Sequence, residues 1–191
     1  MATSDVEIGN RALQKLGAKR ILTLTDDSVN ARAVNAAFNP VKLAELEEHD
    51  WVCATKRAEI AADGTAPAWG KANSFTLPPD FVRLANDYPE DNLNSKDWQI
   101  EGKKIFTDDA APLYIRYIYN VTDPNEMSPL LREAISARLA LELCEEITQS
   151  NTKKAALEAE YKDIIARAKK SNAVQSIPVV PAEDTWITCR S

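Results

Sequence analysis

The most regular pattern of apolar and polar positions lies between residues 128 and 170. Its first half predicts a helix with a wide apolar face, because apolar residues recur at helical spacing in two adjoining stripes. The stripes consist of Leu131, Ala134, Ile135 and Leu139, and of Leu130, Ala134, Ala137, Leu141 and Cys144. One neighbour cannot cover so wide a face, so we expect this helix to be the central one. Ser128 followed by Pro129 predicts its start, since proline at the first helical position loses no hydrogen bond.

A second, narrower helix is predicted after the polar turn at 149–152. Its apolar stripe consists of Leu157, Tyr161, Ile164, Ile165 and Ala168. That spacing is typical of a helix with one buried and one solvated side. Because the connection is short, we expect the two helices to form an antiparallel hairpin.

Two more helices are predicted before residue 50. The segment 4–7 has the sequence of a capping box, and Gly17 is typical of the position just after a helix end. The next helix is expected to begin near Asp27 or Ser28 and to end in the acidic segment 45–48. Pro40 lies inside it and should kink or restart it, because proline lacks a backbone N–H.

The pattern changes between residues 51 and 121, where glycines and prolines separate short apolar or alternating segments. Such a pattern indicates strands and turns. The predicted strands are 51–60, 81–86, 98–100, 104–107 and 113–121. A hairpin turn is expected near Gly102, and the last strand is expected to be central, because both of its faces carry apolar residues.

The end of the chain differs again. Pro178 and Pro181 flank Val179 and Val180, which favours extended or polyproline geometry. An apolar pair, Trp186 and Ile187, follows close to the carboxyl terminus. Since free termini are usually polar, this pair suggests docking to a partner, although the segment could instead pack on its own domain.

These patterns together predict an α+β fold that is mainly α. It is a helical bundle built on the long C-terminal antiparallel helix hairpin, with a β-rich middle insertion and an extended C-terminal arm. We assign residues 1–50 and 123–175 to the helical body, 51–122 to the β-rich insertion, and 176–191 to the arm. The whole is expected to be a single domain with an annex.

Composition narrows the class of protein. The formal net charge is −6, from 23 basic and 29 acidic side chains. An acidic chain is a poor sequence-independent binder of DNA. The same charge balance also suits a surface past which DNA must slide without sticking. The three cysteines are far apart, which fits reduced thiols, and no apolar segment is long enough to span a membrane. Because the amino-terminal residues lack the pattern of a signal peptide, we expect a soluble protein.

No catalytic motif is present. The sequence has no glycine-rich phosphate loop, no nucleophile elbow and no metal-binding pair of histidines or cysteines. Glutamates are frequent in the hairpin, but they alternate with lysines and arginines at helical spacing, as on a solvated or interfacial face. The single histidine, His49, is expected to be a local hydrogen-bonding residue. We therefore expect no enzyme activity, and no catalytic, cofactor-binding or metal-binding residues.

The charges at the hairpin turn are unusual. Glu145 and Glu146 lie near the C-terminus of the first helix, and Lys153 and Lys154 lie near the N-terminus of the second. Both placements oppose the helix macrodipole. The charges could offset one another across the turn, or they could form a subunit interface with a neighbouring copy.

Several short motifs, taken in order, resemble those of a known family. They are Ile8-Gly9-Asn10-Arg11 with its continuation to Gly17, Asp50-Trp51, Phe75-Thr76-Leu77-Pro78-Pro79-Asp80-Phe81, Trp98-Gln99-Ile100-Glu101-Gly102, Leu113-Tyr114-Ile115-Arg116-Tyr117, Ser128-Pro129-Leu130-Leu131-Arg132, Arg138-Leu139-Ala140-Leu141 and Tyr161. This series resembles the podophage tail tubular protein A family, the head-to-tail adaptors or gatekeeper connector rings. The resemblance covers residues 4 to about 172.

The resemblance implies a structural virion protein that forms a ring of twelve copies. Such a ring joins the portal to the tail nozzle, a protein like tail tubular protein B, and extends the DNA channel for genome retention and ejection. It would be assembled in the host cytoplasm and reside in the head–tail connector, with no membrane partner and no sequence-specific DNA binding. By position in the arm, the candidate portal-docking residues are Val179, Val180, Trp186, Ile187 and Arg190.

Two other functions stay open. Some adaptors of this kind are associated with cell-wall glycan hydrolysis, so a muramidase-like activity is one alternative. The other is a helical protein-interaction module that binds another protein through the hairpin.

Overall fold

The computed structural model describes residues 3–85 and 98–175. Over these ranges the chain is mixed α and β, with four α-helices, two three-stranded antiparallel sheets and 48% helix. The helices are α1 (Asp5–Leu16), α2 (Val29–Glu47), α3 (Pro129–Thr148) and α4 (Asn151–Ala173). We call these four helices the helical body.

Each of the four helices begins at a serine cap. The hydroxyls of Ser4, Ser28, Ser128 and Ser150 accept hydrogen bonds from backbone N–H groups in the first turn that would otherwise have no partner. Gly17 ends α1 at φ 76°, in the left-handed region that glycine adopts without steric cost. The predicted starts at Ser28 and Ser128 and the predicted stop at Gly17 are therefore confirmed.

Pro40 was predicted to kink or restart the second helix, and the predicted restart needs correction. Helix α2 includes Pro40 and continues to Glu47, without restarting. Pro40 and Ala36 both lie on the exposed side of the helix. The Ala36 carbonyl, which proline leaves without its helical partner, can therefore be hydrated.

The middle of the chain forms the strands, which we call the β annex. A 3₁₀ turn, Val52–Ala54, leads into β1 (Thr55–Ile60), and β2 (Asn73–Thr76), β3 (Phe81–Leu84), β4 (Gln99–Glu101), β5 (Lys104–Thr107) and β6 (Leu113–Tyr119) follow. One sheet has the order β1-β6-β3 and the other β2-β5-β4. The predicted central position of the last strand is confirmed, as is the turn at Gly102, which has φ 61°.

The strand predictions also contain errors. Strand β2 was not predicted, and β1 begins at Thr55 rather than at residue 51, because Val52–Ala54 form a 3₁₀ turn. Strand β6 ends at Tyr119 instead of at residue 121. Strand β3 ends at Leu84, and the next residue, Ala85, is not part of a strand; residue 86, where the strand was predicted to end, lies outside the described residues.

One apolar core joins the helical body to the β annex. It includes buried side chains from both, such as Leu13, Phe75, Ile105 and Leu139. Helix α3 lies against α1, α2 and α4, as its wide apolar face predicted. Ala134 and Ala137, from the first half of α3, pack on Ile164 in the second half of α4, so the two helices run antiparallel.

Candidate functional site

The turn between α3 and α4 brings the predicted interface charges together. Gln149 ends α3 in the left-handed conformation, at φ 50°, and the next residue, Ser150, caps α4. The two helices therefore meet in a tight turn. The Lys154 ammonium lies 3.1 Å from a carboxylate oxygen of Glu145, and the Glu145 hydrogen bond raises the pKa of Lys154.

The pairing of Glu145 and Lys154 bears on the two interpretations of these charges. Their side chains are 81% and 47% exposed, so the ion pair contributes little to stability and can be exchanged for another. Glu146 is also exposed, and Lys153 is half-buried. Charges therefore offset each other across the turn at one pair, and Glu146 is exposed beside it.

A second set of charges links three helices. The Lys15 ammonium lies 2.7 Å from a Glu133 carboxylate oxygen and 2.6 Å from one of Glu160, and Arg11 also pairs with Glu133. The Lys15 side chain is only 5% exposed. These contacts join α1, α3 and α4. Glu133 and Glu160 therefore belong to the packing of the helical body rather than to a free acidic face.

The C-terminal end of α4 is hydrogen-bonded to the segment that leads into β1. Asn172 Oδ1 accepts from the Val52 backbone N–H at 2.9 Å, and Asn172 Nδ2 donates to the Asp50 carbonyl at 2.6 Å. Asn172 Nδ2 also lies 3.3 Å from His49 Nε2. We call these four residues the Asn172 cluster. The expectation of a local partner for His49 needs correction, because its ring nitrogen meets a side chain 123 residues away in the chain.

The predicted arm begins just beyond this point. Helix α4 ends at Ala173, and the next side chain, Val174, is 83% exposed. The candidate portal-docking residues Val179, Val180, Trp186, Ile187 and Arg190 lie outside the described residues. They stay predictions from the sequence.

Among the described residues, the most buried charged side chain is that of Glu45, which the sequence did not single out. Its side chain is fully buried, and its Oε2 accepts from Arg138 Nη1 at 3.1 Å and from the Tyr161 hydroxyl at 2.9 Å. Arg138 also donates to Glu48 at 2.6 Å. These contacts join α2, α3 and α4. Sequence reasoning placed Glu45 only in the acidic end of a helix, because its partners are distant in the chain.

The environment of Glu45 bears on the muramidase alternative. A glycosidase acid must reach its substrate in a cleft, with a second carboxylate nearby. Glu45 is closed off from solvent, and Arg138 balances its charge. Burial, together with the neighbouring Glu45, raises the pKa of Tyr161, so this hydroxyl stays a hydrogen-bond donor. The arrangement supports helix packing rather than acid catalysis.

A further surface lies on the β annex and was also missed. Trp69 is 89% exposed at the edge of an open hollow of about 500 Å³. The hollow is lined by Pro67, Ala68, Trp69, Gly70, Lys71, Gln99, Glu101 and Phe106. A tryptophan between Pro67 and Gly70, in a segment typical of turns, was the feature that could have indicated it.

Within 3–85 and 98–175, no group of three or more histidine, cysteine, aspartate or glutamate side chains is placed to hold a metal ion. None of the described helices combines the length and the hydropathy that crossing a bilayer requires.

Comparison with known proteins adds no family assignment. No protein-family model matches the chain, and no curated protein matches it.

Proposed function

We propose that this chain is a subunit of a head-to-tail adaptor ring in a podophage-like virion. Its partners are the portal protein, the tail nozzle and further copies of itself, with about twelve in the ring, as the resemblance in the sequence implies. DNA passes through the channel without sequence-specific binding. The chain acts as a structural protein of the head–tail connector, is assembled in the host cytoplasm and catalyses no reaction.

The observation that carries this proposal is the position at which the arm begins. The Asn172 cluster fixes the end of α4 to the 49–52 segment, and the exposed Val174 follows. The segment 176–191 then contains an apolar Trp-Ile pair and Arg190. A fixed root followed by a segment with a large apolar side chain beside a charged one suits an anchor for another protein.

The finer architecture belongs to the same proposal. We infer a helical bundle built on the α3–α4 hairpin as the ring-forming body, with residues 51–122 as an insertion and 176–191 as the arm. The central position of α3 and the shared apolar core support a single domain with an annex. We assign the subunit interface to Glu145, Glu146, Lys153 and Lys154 at the hairpin turn.

Binding of variants to the matching portal ring tests this proposal. Deleting residues 176–191 should leave a folded protein that no longer binds portal. The paired change Trp186→Ala and Ile187→Ala should weaken binding at least tenfold, because each large apolar anchor contributes more than about 1 kcal/mol. The paired change Thr185→Ala and Thr188→Ala serves as the matched control and should bind normally.

The same experiment can overturn the proposal. Unchanged affinity of the deletion variant would show that the arm does not dock on the portal. A full-length chain that ignores the portal would favour the helical interaction module.

A further inference from the structure

The hydrogen bonds of Asn172 fix the orientation of its side-chain amide. The Val52 N–H can only donate, so the atom it meets at 2.9 Å must be the amide oxygen. The Asp50 carbonyl can only accept, so the atom 2.6 Å from it must be the amide nitrogen. Two independent partners therefore agree on which end is oxygen and which is nitrogen. Asn172 is 9% exposed, so its unused hydrogen-bonding groups have little access to water.

This orientation determines the state of His49. Asn172 Nδ2 is a donor, and it lies 3.3 Å from His49 Nε2. A hydrogen bond between them requires Nε2 to accept, so the ring proton must be on Nδ1. We propose that His49 is the neutral Nδ1–H tautomer, that it holds the end of α4 to the 49–52 segment through Asn172, and that protonation of His49 loosens this attachment.

The surroundings of the ring favour the neutral form. The His49 ring packs on the Trp51 ring in a T-shaped arrangement, with the ring centroids 4.9 Å apart and the planes at 82°. The charged groups that act on it are Lys169 from α4, Arg83 from β3 and Asp50 from its own segment. Burial lowers the pKa of His49 most, Lys169 and Arg83 lower it further, and Asp50 opposes them.

Acidification would therefore affect one end of α4. Once Nε2 carries a proton, two donors face each other at 3.3 Å, and the Asn172 amide cannot turn over without losing both of its backbone partners. Leu157 and Ile164, which lie nearer the start of α4, are buried and should keep their apolar contacts. We expect local loosening at Asn172 rather than unfolding of α4.

The attachment lies at the root of the proposed arm, because the arm begins four residues after Asn172. A role in setting the direction of the arm rests on the proposed function. The tautomer and its acid response do not, and they can be measured on the isolated chain without portal. Failure of portal binding and failure of this inference are thus distinguishable.

The first experiment uses the fact that the chain has only one histidine. The ¹⁵N shifts of the two ring nitrogens in the full-length protein report which one carries the proton at pH 8. We expect the Nδ1–H tautomer, and titration at a pH below the ordinary histidine value of about 6.5. A proton on Nε2 at pH 8, or titration at or above that value, would overturn the inference.

The second experiment follows the Val52 amide by hydrogen exchange, corrected for the intrinsic pH dependence. Protonating His49 should speed its exchange about fivefold, the factor expected for one ordinary hydrogen bond. His49→Phe keeps a ring against Trp51 but cannot titrate, so its corrected exchange should not change with pH. An equal pH response in wild type and His49→Phe would contradict the assignment.

Two variants that each add one negative charge sharpen the test. Asn172→Asp places a carboxylate beside the ring, and should raise the pKa of His49 by stabilising its protonated form. Gln175→Glu adds the same charge beyond the end of α4 as the matched control, and should shift that pKa much less. Equal shifts in both variants would show that Asn172 does not contact the ring.

Discussion

The helical body and the β annex share one apolar core but use polar side chains differently. In the body, Glu45, Lys42 and Asn172 are all buried, and each bonds to a different element of the chain. In the annex, Asp63 and Asp80 are only partly covered, at 18% and 32% exposure, and pair with lysines at the surface. These three contacts of the body are therefore shielded from water and salt, whereas the two lysine pairs of the annex compete with both.

The two regions should therefore differ in how well they tolerate polar substitutions. A buried charge that loses its partner is left without solvation. Removing one partner of a buried pair therefore lowers the free energy of unfolding by far more than the intact pair contributes to it. A partly exposed charge can turn to water instead. We therefore expect the body to respond strongly to single polar substitutions and the annex weakly, although both border the same core.

The largest effect is expected at Glu45. Glu45→Ala leaves the partly buried Arg138 guanidinium without its internal partner, and should lower the free energy of unfolding by about 3–5 kcal/mol. Glu48→Ala is the matched control, because Glu48 binds the same guanidinium but is 48% exposed; it should cost less than about 1 kcal/mol. Urea unfolding measures both. Equal losses in the two variants would remove the distinction between buried and exposed pairs.

A smaller effect is expected at Gly9, where α1 approaches α2. A Cβ at this position would lie 2.8 Å from Val34 Cγ1, and valine has few rotamers with which to move away. Gly9→Ala should cost about 1–2 kcal/mol, since overpacking outweighs the gain in helix propensity. Gly64→Ala in the annex meets no atom within 4 Å and should be neutral or slightly stabilising. Thermal unfolding of both variants checks this, and a stabilised Gly9→Ala would contradict the close approach.

A pH effect is expected at Asp63, which accepts hydrogen bonds from Ser74, Thr76 and Lys104. These bonds lower the pKa of Asp63 to about 2, from 3.8. Because the folded value is the lower one, this stabilisation is complete above pH 3.8 and is lost as the pH falls towards about 2. Amide signals of Ser74 and Thr76 should shift in that window, and Asp63→Asn should abolish the shift while costing about 1 kcal/mol at neutral pH.

The smallest effect on stability is expected at Trp69. Its side chain is 89% exposed, so Trp69→Ala should change the free energy of unfolding by less than about 0.5 kcal/mol. Trp51, which follows α2, is the comparison: it is 1% exposed and donates to the Glu45 carbonyl at 2.9 Å, and Trp51→Ala should cost about 3–5 kcal/mol. Denaturant unfolding of both variants measures the contrast. A large loss for Trp69→Ala would mean that the annex depends on this side chain.

The helices were predictable because their determinants are local. Ser28, Ser128 and Gly17 act within one helical turn of their own positions, and the apolar stripes follow from spacing alone. Strand β2 was missed because its four residues include a single apolar side chain, Phe75, and its place in a sheet depends on pairing with β5. A restart was wrongly expected at Pro40, because tolerance of proline depends on which side of the helix faces water, and the prediction did not take that side into account.

The polar contacts at the candidate site were less predictable. Glu45 and Tyr161 are 116 residues apart, and Asn172 and Val52 are 120 residues apart, so no local pattern connects them. By contrast, the Glu145–Lys154 pair was suggested by two charge clusters on either side of a short turn. Whether the hairpin charges meet a neighbouring subunit stays a prediction, and so does docking of the arm.

Native mass spectrometry of the chain mixed with its portal ring tests the adaptor proposal most directly. We expect about twelve copies to add to each portal ring, and none to add after residues 176–191 are deleted. The oligomeric state of the chain before portal is added does not affect the test, because the result is the mass that the chain adds to the portal ring. A chain that adds no mass to the portal would contradict the proposal.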